Sequence, residues 1–269
     1  MTLISDLRAR ELSTLAAGFL RDTGGAFDGA VLVEPTAEFF PDAVTPSADT
    51  VELLFHRVRA YTPLPDDVPY MFRFEDEEAG GGGSCGTGAC GVPGGNTYVP
   101  LAGRQGEGFV LPVEVKCAGK AEGLMATLSR HAGSLVYGLA DTEVAHPDLG
   151  ECSETMATLS GLGLLLLIGS HVYCKGCSTV RIDCYTALPP HELAWLCAMF
   201  MQLHNMPPAK ARKHLSGTTR ELFDEAVRWW NDRPTLIADL RRRPDDVAMG
   251  CTDYSVTRKT LFSKLWGAA

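Results

Sequence analysis

Residues 124–134 read Leu124-Met125-Ala126-Thr127-Leu128-Ser129-Arg130-His131-Ala132-Gly133-Ser134, and residues 154–158 read Glu154-Thr155-Met156-Ala157-Thr158. Leu124, Met125, Leu128, Ala132, Leu135, Val136 and Leu139 recur at helical spacing, which predicts a helix over 121–139 with one apolar stripe. The second stretch lies in a run that reads as the next helix, over 151–170. Side chains four apart share a helix face, so two consecutive helices of this kind can bring polar groups from both into one place.

Working outward, Ile4, Leu7, Leu12, Leu15, Ala16 and Leu20 predict an N-terminal amphipathic helix over 4–21, ended by Gly24-Gly25. Val31-Leu32-Val33 reads as a short strand closed by Pro35. Ser47 can cap a helix in which Val51, Leu54, Phe55 and Val58 share a face, and Tyr70 to Phe74 reads as a strand. Glycine dominates 76–97, which predicts a long loop. Phe109-Val110-Leu111 and Val113-Glu114-Val115 flank Pro112, which suits an edge strand, since proline cannot donate to a ladder. Pro189-Pro190 can open a helix over 191–204, and Thr218 or Thr219 can cap another through Trp230. Residues 255–266 read as an amphipathic tail helix. With no internal repeat, the expectation is one α+β domain over 1–269: a small N-terminal mixed sheet near 31–115, packed on a helix-rich C-terminal part.

Composition narrows the partners. The chain has 269 residues, with 24 basic and 33 acidic side chains for a net charge of −9, which argues against a nucleic-acid backbone or an anionic membrane as partner. The apolar run Leu159 to Gly169 is too short to cross a bilayer and reads as a buried helix. Met1 to Asp6 shows no basic region leading into an apolar stretch, so a cytoplasmic location is expected. Nine cysteines, an odd number, suit reduced thiols or metal ligands better than a disulfide framework.

The order of these pieces resembles a family of bacterial zincin-like proteins. The resemblance spans roughly residues 5–230 and rests on Pro35-Thr36-Ala37-Glu38-Phe39-Phe40-Pro41, the strand at 109–115, Leu124 to Leu128 opening the first paired helix, and Glu154 to Thr158 followed by Gly161-Leu162-Gly163. In such gluzincin-type metallopeptidases the first helix carries His-Glu-x-x-His and the second supplies an acidic ligand. Histidines four apart can both reach a tetrahedral ion, and the intervening glutamate polarises the bound water as general base. Laid on that pattern, the first ligand position is Arg130, the general-base position His131, the second ligand position Ser134 and the trailing acid Thr158; only Glu154 is retained. Arginine stays protonated and offers no lone pair, so the resemblance implies a metallopeptidase-like pseudoenzyme that acts through binding or regulation, with a protein or peptide partner. Two expectations for Arg130 stand side by side: a charge-assisted pair with Glu154, or a solvent-facing side chain.

Other chemistries remain open from sequence alone. Glu154 and His131, with nearby cysteines or histidines such as His146 and His171, could rebuild a site for a metal-dependent hydrolase. Cys174-Lys175-Gly176-Cys177 is a C-x-x-C pair, and with Cys85 and Cys90 it would supply four thiolates for a structural zinc. That arrangement belongs with a third expectation, a structural or homo-oligomer-forming protein. Trp229-Trp230 could offer an aromatic to a partner or place one of the two in the core, and Arg241-Arg242-Arg243 reads as a solvated basic run.

Overall fold

The computed structural model describes residues 3–42, 47–75, 102–105, 108–114, 120–140, 142, 148–175, 180–252 and 254. The glycine-rich stretch 76–97 with Cys85 and Cys90, His146, Cys177 and the tail 255–266 lie outside them. The protein is α+β. Helix α1 (Asp6–Asp22) starts where the Ser5 hydroxyl oxygen accepts from the Arg8 amide, and α2 (Ala48–Arg59) starts where the Ser47 hydroxyl oxygen accepts from the Thr50 amide. Each side chain satisfies one of the amide donors that a helix leaves open at its start.

Three strands, β1 (Tyr70–Glu75), β2 (Gly103–Gln105) and β3 (Gly108–Glu114), form a mixed sheet in the order β1-β3-β2. Strand β1 runs parallel to β3, with Tyr70 opposite Phe109 and Glu75 opposite Glu114, and β2 is antiparallel to β3. The proline-bearing strand is therefore the central one, contrary to the edge position expected from Pro112. The physical objection is met locally. The described part of β2 pairs only with Gly108 to Val110, so Pro112 has its ladder partner, Arg73, on the β1 side. Val31 to Val33 forms no strand; the Val33 amide instead donates to the Gly161 carbonyl.

The paired helices decide the rest. Helix α3 (Ala121–Leu139) has the predicted bounds. Its neighbour runs as α4 (Leu149–Ala157), a π turn (Thr158–Leu162) and α5 (Gly163–Gly169), opened by the Asp148 carboxylate accepting from the amides of Gly150 and Glu151. The kink falls at Gly161, with φ of +92°, a conformation that a Cβ makes costly. The run Leu159 to Gly169 belongs to a longer helical segment: Leu149–Gly169, 21 residues with mean hydropathy 1.4, is long and apolar enough to cross a membrane. It is a core helix nonetheless, with 94% of its apolar window buried inside the protein. Helices α3 and α4 approach so closely at Gly133 that a Cβ there would lie 1.9 Å from the Ser153 carbonyl oxygen.

Beyond α5 come a hairpin of β4 (Val172–Lys175) and β5 (Val180–Asp183), which the sequence patterning did not reveal, then α6 (Pro190–Leu203). Helix α6 buries every residue from Leu193 to Met201, the pattern of a helix surrounded by protein. Short α7 (Ala209–Arg212), α8 (Gly217–Asn231), α9 (Pro234–Arg242) and α10 (Pro244–Ala248) complete the described chain. Trp229 and Trp230 are both buried against Trp195, and the Trp230 indole N–H donates to the Trp195 carbonyl at 3.0 Å, so neither is displayed to a partner. In the arginine run, Arg243 pairs with Asp239 and Asp246, and Arg241 donates to the carbonyl of Leu203 at the end of α6.

The close approach of α3 and α4 yields a prediction. Gly133→Ala is expected to lower stability by about 3 kcal/mol, because the backbone of α4 must move to admit one methyl. An exposed-helix control such as Arg228→Ala should change it by less than about 1 kcal/mol. Urea unfolding followed by circular dichroism measures both, and equal midpoints for Gly133→Ala and the parent chain would contradict the packing described.

Candidate functional site

The five positions matched to the metal motif are all buried, on or between α3 and the α4 segment. Arg130, His131, Glu154 and Thr158 have no exposed surface, and Ser134 is buried as well. The solvent-facing expectation for Arg130 is thereby overturned: the side chain is among the largest fully buried ones in the protein. Helix periodicity explains how this happens. Thr127, Arg130, His131 and Ser134 lie three or four apart on the face of α3 that meets the α4 segment and the sheet.

Glu154 is held in a different way from the expected pair with Arg130. Its carboxylate accepts the Ala187 amide at 2.6 Å and the Leu188 amide at 2.8 Å, both from the segment joining β5 to α6. No nitrogen–oxygen contact within 4.0 Å joins Arg130 to Glu154. The guanidinium acts on the carboxylate through its field: Arg130 and the two amides favour the ionised form, while burial opposes it more strongly. The balance pushes the Glu154 pKa up to about 7.

His131 is also committed to the fold. Its Nε2 lies 2.8 Å from the Pro112 carbonyl oxygen, so that nitrogen carries the proton and donates. Burial, and then the positive charge of Arg130, push its pKa down to about 3, so the ring is neutral at any ordinary pH. Its Nδ1 is buried and has no hydrogen-bond partner among the described residues. The Ser134 hydroxyl donates to the Ser153 hydroxyl at 2.8 Å, and the Thr158 hydroxyl donates to the Glu154 carbonyl at 2.8 Å. These contacts tie the positions matched to the motif to neighbouring backbone and hydroxyl groups.

The arrangement therefore places His131 and Glu154 in the field of one buried cation, Arg130, which influences the protonation of both. It does not converge their donor atoms on a point: Nε2 of His131 faces the sheet and the carboxylate of Glu154 faces the segment before α6. Among the described residues no group of three or more histidine, cysteine, aspartate or glutamate side chains is placed to hold a metal ion. His171 sits apart, its ring 5.0 Å from that of Tyr173. Cys174 lies in β4, while Cys85, Cys90 and Cys177 fall outside the described residues. The described free thiols are Cys152, Cys184, Cys197 and Cys251; burial raises Cys152 to about 11 and Cys197 to about 12, which leaves both protonated and unreactive. The partners that sequence reasoning missed are Pro112, Ser153, Ala187 and Leu188. Three of them act through backbone atoms, for which side-chain identity gives no signal. No family model, curated protein or solved structure matches this chain.

Opposed titrations give a pH prediction. Glu154 has a folded pKa above its unfolded value of 4.5, so its contribution is complete below 4.5 and is lost as pH rises to about 7. His131 has a folded pKa below its unfolded 6.5, so its contribution is complete above 6.5 and is lost as pH falls toward 3. Between 4.5 and 6.5 the two slopes oppose each other. Glu154→Gln is less stable at neutral pH, since its amide cannot accept both backbone N–H groups. It should also lose stability on acidification through this window more steeply than the parent, by on the order of 2 kcal/mol in total. Parallel slopes in urea midpoints measured against pH would contradict the assignment.

Proposed function

We propose that this chain is a zincin-like pseudoenzyme: a metallopeptidase-type scaffold whose metal centre has been replaced by a buried polar unit, working by binding or regulation of a protein or peptide partner. The observation that carries this reading is Arg130, fully buried at the first ligand position of the resemblance. A permanent cation in a low-dielectric site repels a divalent ion, and unlike histidine it cannot be relieved by losing its proton.

The neighbouring contacts support the same reading. Glu154, the one retained motif residue, spends both carboxylate oxygens on backbone amides, and neutral His131 spends Nε2 on Pro112. A hydrolase rebuilt from Glu154 and His131 would require both to leave these partners. For a peptide partner, strand β1 offers a suitable surface. It is the outer strand of the sheet among the described residues, with Met71 exposed on one face and Phe74 on the other. An extended peptide can add to such an edge through main-chain hydrogen bonds, with alternate side chains read by the exposed face.

The ancestry is tested by rebuilding the motif. The quadruple variant Arg130→His, His131→Glu, Ser134→His and Thr158→Asp places the zincin residue types on the two helices. The expected result is stoichiometric zinc uptake by tag-free protein, measured by elemental analysis after gel filtration, with the parent chain taking up none. A variant with native circular dichroism that ignores zinc sinks the zincin reading. Should the quadruple variant not fold, Arg130→His with Ser134→His is the smaller test: it should bind zinc detectably with Glu154 present and lose that binding in Glu154→Gln.

A further inference from the structure

The last turns of α1, α6 and α9 converge on a cavity of about 650 Å³, away from the paired helices. Its floor is apolar, from Leu20, Phe27, Leu203 and Leu240, and its rim carries Asp28 and Asp245. Each helix C-terminus presents roughly half a negative charge, so three of them together with two carboxylates supply the negative side of the lining. Two arginines also line the space, but both already serve acceptors of the protein itself. Arg21 Nε donates to Asp22 at 2.5 Å, and Arg241 donates to the carbonyls of Leu203 and Gln202 and to Asn205 Oδ1. His204 adds no opposing charge at neutral pH, because burial lowers its pKa.

Asp28 is the free acid of the group. It is exposed, and no described side chain donates to its carboxylate. Its position is fixed by the turn after α1, where the Asp28 amide donates to the Gly25 carbonyl at 2.8 Å. Asp245 is 65% exposed and reaches Arg21 only at 4.0 Å, too far for a strong hydrogen bond.

We propose that this cavity binds a primary alkylammonium group on an aliphatic stem, the methylenes lying on the leucine and phenylalanine floor and the charge meeting Asp28 and Asp245. The chemistry matches the two halves of the lining: an inorganic cation would leave the apolar floor unused, and a neutral hydrocarbon would leave Asp28 without a partner. Such a group is carried by free diamines and by lysine side chains. This site is independent of the zincin reading, since it shares no residue with the paired helices.

Isothermal titration calorimetry at low ionic strength, with 1,5-diaminopentane and with doubly capped lysine as probes, tests the proposal on the full chain. Saturable binding of at least one amine is expected, weakened about tenfold in Asp28→Asn, with pentanol and pentanoate binding more weakly than either. Tighter binding of the diamine assigns the site to free polyamines, and tighter binding of capped lysine assigns it to a lysine-bearing peptide. Asp28 makes no side-chain hydrogen bond to a described residue, so Asp28→Asn should retain the native circular dichroism spectrum. The proposal is overturned if neither amine binds saturably, if Asp28→Asn binds as well as the parent, or if pentanoate binds better than the amines.

Discussion

The fold depends on how one buried carboxylate is satisfied. Glu154 sits without exposed surface between helices, and an isolated ionised carboxylate there would cost many kcal/mol. Two consecutive amides, from Ala187 and Leu188, meet its two oxygens, and the field of Arg130 lowers the cost of the charge. The contact spans 33 residues of sequence, so it fixes the segment leading into α6 against the middle of the paired helices. Because α6 is buried nearly all round, its placement in turn fixes the tryptophan cluster formed by Trp195, Trp229 and Trp230.

The same constraint explains why the polar residues of α3 point inward. A helix that buries Thr127, Ser129, Arg130, His131 and Ser134 runs against the usual segregation of polar groups to the surface. Such residues are tolerated where each finds a partner, and the partners here are nearby backbone or hydroxyl groups: Met125 for Ser129, Pro112 for His131, Ser153 for Ser134. A core assembled only for stability would fill this space with aliphatic side chains at similar or lower free energy. The buried polar seam on two facing helices is therefore a feature that stability alone does not call for.

Much of this could be read from residue order. The stripe from Leu124 to Leu139 gave α3 with its bounds, and Ser47 with Val51, Leu54 and Phe55 gave α2, because helix signals are local and periodic. Elements governed by long-range pairing were harder. Pro112 argued for an edge strand, yet β3 is central, since the short extent of β2 is not encoded in β3 itself. Val31 to Val33 has strand composition but spends its Val33 amide on the kink at Gly161, a contact that needs both segments in place. The β4–β5 hairpin was not foreseen because four-residue strands carry too little alternation to stand out. At the candidate site, the residue types were legible and the pairing was not. Arg130 was marked as the anomaly from its charge alone, whereas the true partners of Glu154 are amides, which every residue except proline possesses.

That distinction bears on how a carboxylate can be kept buried without a direct salt bridge. Two packed helices that bury a carboxylate must supply it with partners, and a salt bridge is the most obvious one. This protein uses another. Backbone donors from a third element hold the carboxylate, and the arginine contributes from a distance beyond direct pairing, so neither side chain has to reach the other in one strict geometry. The hydrogen bonds that hold Glu154 do not involve Arg130, and the guanidinium biases the carboxylate toward its charged form. Two tasks are thereby separated: the amides supply the hydrogen bonds to Glu154, and the buried cation supplies the field that favours its ionised form.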